Sequence, residues 1–336
     1  MNKKIEAALR EGTQFVQANV PNWDDLNPNP ILQSWVSAFP QDELDAASEV
    51  LAPTVPVTGE KFEFPEYSVY SVIDDVETVI ANDGGYNVID KTAPNWQTGR
   101  TVRHGLAIKV TDPATLGLHK TPWDNTTACA ALLRLHLQRR RLQAIKALML
   151  AKASVPGQYT AASVKWDATS GTIDPRKDID VVDEQIYTLF GERPNTMVLT
   201  YLQARALARW VEDKKIYTGV TYDGSLPTKF HNKDIVIVDA KKNTANPGAA
   251  VSLGRIFSED NAYLMYLNPA YGGTAEAITA LATYRNQAYG ADFRAVVLNA
   301  GDYKMGATGQ YVALDTHYAI AEVAGTAIGV ITDTLT

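Results

Sequence analysis

The 336-residue sequence contains one cysteine, Cys129. A lone thiol forms no intramolecular disulfide and supplies no zinc cluster of thiolates, so neither an oxidising compartment nor that kind of metal site is implied. No run of 18 apolar residues is present to span a bilayer. Met1-Asn2-Lys3-Lys4 leads into Glu6 and Glu11, which is not the apolar core of a signal peptide. The chain is therefore expected to be made in the cytosol. Catalytic and nucleotide signatures are missing too: no G-x-x-x-x-G-K-[ST], no G-x-G-x-x-G after a strand, no H-E-x-x-H and no G-x-S-x-G. The five histidines (His104, His119, His136, His231 and His317) show no ligand spacing. No catalytic, cofactor-binding or metal-ligating residue is expected, and no cofactor.

Charge is modest. A net charge of −7 and 21% charged residues argue against nucleic-acid binding driven by overall charge, while leaving room for a local basic face. Forty-six per cent apolar residues is enough for a sizeable core, and the length suits about two domains. Asp174, Asp178, Asp180, Asp183 and Glu184 cluster without the spacing of a calcium loop. Asp178 and Asp183 read as first-turn acids that complement a helix dipole. Cys129 lies among small residues early in a helix and reads as a packed thiol.

Residues 1–60 differ from the rest. Three bases stand against nine acids, a local balance of −6, and prolines at 21, 28, 30, 40, 53 and 56 cut the stretch into pieces. Short helices are expected at about 3–18, 30–38 and 41–51. Such a segment buries no core alone and reads as an arm that needs another surface, with a flexible tail as the alternative. Residues 61–111 read as β: Phe62 and Phe64 alternate with charges, Tyr67, Val69, Ser71 and Ile73 share a strand face, and Leu106, Ile108 and Val110 alternate with smaller or polar residues. Asp83-Gly84-Gly85 suits a turn. A long hairpin projecting from the body fits this composition.

The clearest helix spans 124–153, stopped by Val155-Pro156-Gly157. At about 1.5 Å per residue it reaches roughly 45 Å. It carries Arg134, Arg139, Arg140, Arg141, Lys146 and Lys152 and no acid, and its leucines lie on more than one side, so it expects several neighbours. For the run Arg139-Arg140-Arg141 three readings stand: a solvated helix face, contact with the acidic arm, or contact with nucleic-acid phosphates. Aromatics do not interleave with these arginines, so base stacking is not suggested. Beyond residue 166 the pattern is mixed. Helices are expected near 178–191 and 203–213, strands at 196–200, 234–240, 262–267, 276–288 and 292–300, a loop at Tyr222-Asp223-Gly224, and two strands from His317 to Thr332 broken at Gly325. Helices and strands do not alternate regularly, so the fold class is α+β.

Several strings, taken in order, resemble the major capsid proteins of tailed bacteriophages, which share the Hong Kong 97-type fold. They are His104-Gly105-Leu106-Ala107 with Val110-Thr111-Asp112, the basic helix at 124–153, and the series Trp166, Ile173-Asp174-Pro175, Asp178-Ile179, Gly191, Arg193-Pro194-Asn195 and Val198-Leu199-Thr200. Tyr284-Arg285 and the strands from Ala319 to Asp333 follow. His104 departs from the aromatic residue usual before the Gly-Leu. The resemblance covers roughly residues 60–336; the arm matches only in character.

That resemblance implies an N-terminal arm (1–60), an extended β-hairpin loop (61–108), a peripheral domain (109–165 and 270–312) with spine helix 124–153, and an axial domain (166–269 and 313–336). It implies a structural subunit, not an enzyme, that self-assembles through pentamers and hexamers into an icosahedral shell around double-stranded DNA. The alternative within the same fold is an encapsulin-type compartment enclosing cargo enzymes. Implied partners are other copies of the chain, portal, scaffolding and decoration proteins, and packaged DNA held non-specifically; no membrane is implied. The implied location is the virion, after assembly in the host cytoplasm. Arg134, Arg139, Arg140, Arg141 and Lys146 are the candidates for intersubunit or genome contact. Some relatives crosslink through a lysine of the extended loop, where Lys91 lies, and no partner is assigned to it. A start at Met1 carries the expectation that no leading scaffold domain is cleaved.

Overall fold

The structure, a computed structural model, describes residues 43–67, 95–110, 125–168, 172–215, 219–243, 252–273, 277–289, 292–299 and 310–335. The helices expected at 3–18 and 30–38, the strand face from Val69 to Ile73, the turn at Asp83-Gly84-Gly85, and Lys91 lie outside the described residues. In chain order the elements begin with α1 (Glu43–Leu51), β1 (Thr54–Val57), β2 (Lys61–Glu66), β3 (Asn95–Arg100), β4 (Val102–Val110) and α2 (Asn125–Ala151). Then come β5 (Tyr159–Ala161), α3 (Pro175–Phe190), β6 (Thr196–Leu199), α4 (Tyr201–Lys214), β7 (Val220–Asp223), β8 (Leu226–Phe230) and β9 (Lys233–Ile237). The last are β10 (Lys241–Asn243), β11 (Leu253–Arg255), β12 (Ala262–Met265), β13 (Leu281–Asn286), β14 (Arg294–Asn299), β15 (Gln310–Glu322) and β16 (Ile328–Thr332). The class is α+β, as the irregular succession of elements predicts.

The chain divides into two compact units. The larger comprises Gln41–Val102, Gln138–Ala288 and Tyr318–Thr336; the smaller comprises Met1–Pro40, Arg103–Leu137 and Tyr289–His317.

The larger unit is built on a seven-stranded mixed sheet of order β5-β16-β12-β6-β9-β8-β7. β6 runs parallel to β9 (Thr196↔Asp234), and β12 is antiparallel to β6 and to β16 (Tyr263↔Val198, Ala262↔Ile331). Every residue of β6 and β12 is buried, the mark of strands covered on both faces. α3 lays Ile179, Val182, Ile186 and Phe190 on the sheet, a spacing that keeps them on one side of the helix. Its start is set by Pro175, whose missing N–H costs nothing in the first turn, and its end by Gly191 at φ 96°. The helix comes so close to β16 that only glycine fits at 329: a Cβ there would meet the methyl of Val182 and stand 2.9 Å from Ile186 Cδ1.

α4 begins at Tyr201, two residues earlier than its apolar pattern suggests. Thr200 and Gln203 form a capping box that satisfies the first amides. Gln203 then donates to the Glu259 carbonyl (2.8 Å) and to Thr334 Oγ1 (2.6 Å), so a fully buried amide is paired. The expected loop at Tyr222-Asp223-Gly224 is instead a hairpin: β7 and β8 pair around a turn at Gly224 (φ 64°). A four-residue strand exposing alternate residues leaves too weak a periodic signal to read.

In the same unit, β1 pairs in parallel with β13 (Thr54↔Thr283), and β13 pairs with residues 318–322 of β15. Of the arm expected over 1–60, the described part from Glu43 is anchored on its own chain: Ala47, Leu51, Ala52 and Val55 are buried in this core. β2 and β3 form the antiparallel base of the expected hairpin, Lys61↔Arg100 to Glu66↔Asn95. Phe62 stacks on Tyr284 at 4.5 Å and Phe64 lies 5.4 Å from the same ring. A separate ribbon, β10 with β11, follows β9.

The smaller unit has its own core. Ala130, Leu133 and Leu137 of α2 pack with Ala295, Val312 and Leu314 of the β14–β15 pair. Cys129 packs against this cluster, which agrees with its reading as a structural thiol. β15 starts at Gln310, not at His317 as the sequence suggests. Arg103 Nε donates to the buried carboxylate of Asp315 at 2.6 Å, beneath Gly105.

Gly329→Ala should lower subunit stability by about 1–3 kcal/mol through overpacking against α3. Urea unfolding of the unassembled subunit would read this as a lower midpoint with an unchanged slope; an unchanged midpoint would show that α3 can step away from β16.

Candidate functional site

The basic residues of α2 do not form one solvated row. In the smaller unit Arg134 is half-buried, its guanidinium 5.4 Å above the Phe293 ring. In the larger unit Arg141 turns onto the β1–β13 pair and donates to Thr54 Oγ1 and Thr283 Oγ1, each at 3.1 Å. Its guanidinium also lies 6.0 Å from the Tyr318 ring. Burial pushes the Tyr318 hydroxyl up, and Arg141 and Arg140 partly offset this by favouring its charged form.

Arg140 is exposed and Arg139 half-buried. Lys146 is half-buried; burial, helped by the positive charge of Lys242, holds its ammonium below the usual lysine range. Thus Arg140 and Arg141 both act on Tyr318, and Lys146 stands with Lys242. Sequence reading missed Lys242, Thr54 and Thr283 as partners. The two threonines lie 87 and 142 positions from Arg141, and no local pattern links them to it.

The acidic cluster disperses into separate pairs. Asp178, in the first turn of α3 as expected, accepts from the Ser163 amide and the Trp166 indole, each at 3.0 Å. Asp183 is not a first-turn acid, because α3 starts at Pro175. It is a buried carboxylate bonded to Lys233 and to Arg193. Asp180 pairs with His231 at 2.6 Å, and Glu184 with Arg193 at 3.0 Å. Among the described residues no group of three or more histidine, cysteine or acidic side chains is placed to hold a metal ion, and no helix is long and apolar enough to cross a membrane. Burial pulls the Arg285 guanidinium below its usual range, and the charge of Glu49 on α1 partly offsets this.

No protein-family model matches the sequence, and no curated protein does. Solved structures do. A phage-related protein from Bordetella bronchiseptica RB50 aligns over 92% of this chain and 98% of its own, with a TM-score of 0.62 at 17% identity. The capsid structure of the cyanophage P-SCSP1u aligns over 86% and 88%, at 0.54 and 10%. A structure from Microbacterium phage Oxtober96 aligns over 85% and 90%, at 0.51 and 13%. The chain thus has the fold of phage capsid proteins. This is the Hong Kong 97-type α+β fold that its sequence resembles.

Arg141→Met should cost the subunit about 1–3 kcal/mol, because two threonine hydroxyls lose a charged donor. Arg140→Met should stay within about 0.5 kcal/mol, as an exposed position. Lys146→Met should be neutral or stabilising, since it removes a half-buried charge set near Lys242. Chemical unfolding of the three variants side by side checks this order; equal losses for Arg140 and Arg141 would refute it.

Proposed function

We propose that this chain is the structural subunit of the icosahedral capsid of a tailed phage, assembling through pentamers and hexamers around double-stranded DNA, and that it catalyses no reaction. The observation that carries the reading is the likeness of nearly the whole chain to phage capsid structures. Supporting it are the hairpin rooted in β2 and β3 and the proline-cut segment before Glu43, both of which suit contact with another copy. In this reading the axial domain takes residues 166–269 and 313–336 and packs around five-fold and six-fold centres. The peripheral domain takes 109–165 and 270–312, the extended loop 61–108, and the arm reaches a neighbour from the residues preceding Glu43. Portal, scaffolding and decoration proteins are the expected further partners, and the virion the expected location.

For genome or intersubunit contact, Arg139 and Arg140 are the residues of choice. Arg141 and Arg134 are committed to their own chain, and Lys146, half-buried like Arg139, stands near Lys242 with its ammonium held below the usual range. A few cations on an acidic chain suit non-specific contact with phosphate, which weakens as salt rises.

Electron microscopy of the purified chain should show closed shells or capsomer rings. Co-purifying DNA selects the phage reading, co-purifying enzyme cargo selects an encapsulin-type compartment, and a monodisperse monomer under assembly conditions refutes both. Deleting residues 1–40 should leave a soluble subunit that assembles poorly or wrongly. Arg139→Gln with Arg140→Gln should lower particle yield or packaged DNA without unfolding the subunit; unchanged particles with full DNA content would remove these residues from the interface.

A further inference from the structure

The larger unit carries two surface features that its core leaves unused. One is an apolar groove of about 440 Å³ along α3, lined by Gly157, Val181, Glu184, Gln185, Thr188 and Leu189. Val181 is 42% exposed within it. Glu184 lies at its rim, exposed, and shares Arg193 with Asp183. The other feature is Leu253 on β11, which at 68% exposure is the most exposed large apolar side chain among the described residues. It sits on the β10–β11 ribbon opposite Asn243, two positions along the strand from the exposed Lys241.

These features belong to different parts of the sheet. α3 packs on β16, β5 and β12, whereas the ribbon follows β9 along the chain. Along the order β5-β16-β12-β6-β9 these strands lie two to four positions from β9, roughly 10–19 Å at about 4.8 Å each. Leu253 at 68% and Val181 at 42% exposure show that the chain covers neither feature itself.

We propose that Leu253 of one copy seats in the α3 groove of the next copy, with Lys241 facing Glu184 across the rim. The inference rests on the shell reading and names one contact inside it. Two different patches make a heterologous contact, which repeats from copy to copy and closes into a ring when the rotation allows. Rings of five and six copies are what that reading needs. The leucine supplies the apolar surface removed from water. The lysine and glutamate fix its direction, because a charge pair at a rim governs orientation more than affinity.

The test combines Leu253→Cys and Val181→Cys in a Cys129→Ser background, followed by mild oxidation of assembled particles. The expected result is a ladder of covalent oligomers on a non-reducing gel, ending at pentamers and hexamers and absent from either single-cysteine control. In addition, Leu253→Glu should abolish particles by setting an acid against Glu184, and adding Glu184→Lys should restore them. Particles without a ladder, or a Leu253→Glu chain that assembles at the wild-type yield, overturn this contact and leave the shell reading standing. A wild-type chain that forms no shells or rings overturns the shell reading and this contact with it.

Discussion

Burial of the central strands on both faces is the constraint from which the larger unit follows. β6 and β12 expose nothing, and in β16 only the last residue is partly open. Strands of this kind read as continuous apolar runs and need cover above and below. α3 supplies cover through a single apolar stripe, and it can descend far enough only because residue 329 has no side chain. The loops that return to these strands then run past apolar surface, and their polar groups must be paired there. Asp178, Asp183 and Gln203 perform that pairing: one carboxylate holds the Ser163–Trp166 segment, the other holds Lys233, and the amide ties Glu259 to Thr334.

The same demand shapes the deployment of charge. α2 carries no acid, so its cations have no carboxylate along their own helix. Arg141 and Arg134 find partners in hydroxyls and aromatic rings of the sheets they pack on, and Lys146 is left near a second lysine. A basic helix that looks like a nucleic-acid surface in sequence is in large part a packing element, with its free positive charge reduced to a few positions.

Much of the fold was legible in the sequence because local rules decide it. The stop at Val155-Pro156-Gly157, the alternation at Phe62 and Phe64, the strands expected at 196–200 and 262–267 and the break near Gly325 rest on proline, glycine and periodicity, and the structure carries an element or an end at each. What was not legible is non-local. The partners of Arg141 come from β1 and β13, the pairing of Asp183 with Lys233 bridges 50 positions, and the anchoring of residues 43–57 depends on β13 far along the chain. The hairpin at 220–230 was missed because its strands are short and half-exposed, so neither period nor apolar content rises above that of a loop.

By itself the sequence determined the α+β class, the long acid-free helix and the strand pattern of the hairpin base, since each depends on residues within a few turns of one another. Only the tertiary structure decided which arginines are committed to the chain and which remain free, because burial of a guanidinium is settled by whatever strand happens to lie beneath it. It also decided that Leu253 stands exposed while the groove on α3 stays open. Exposure of that kind depends on how distant segments are placed in space, and no spacing along the chain encodes it.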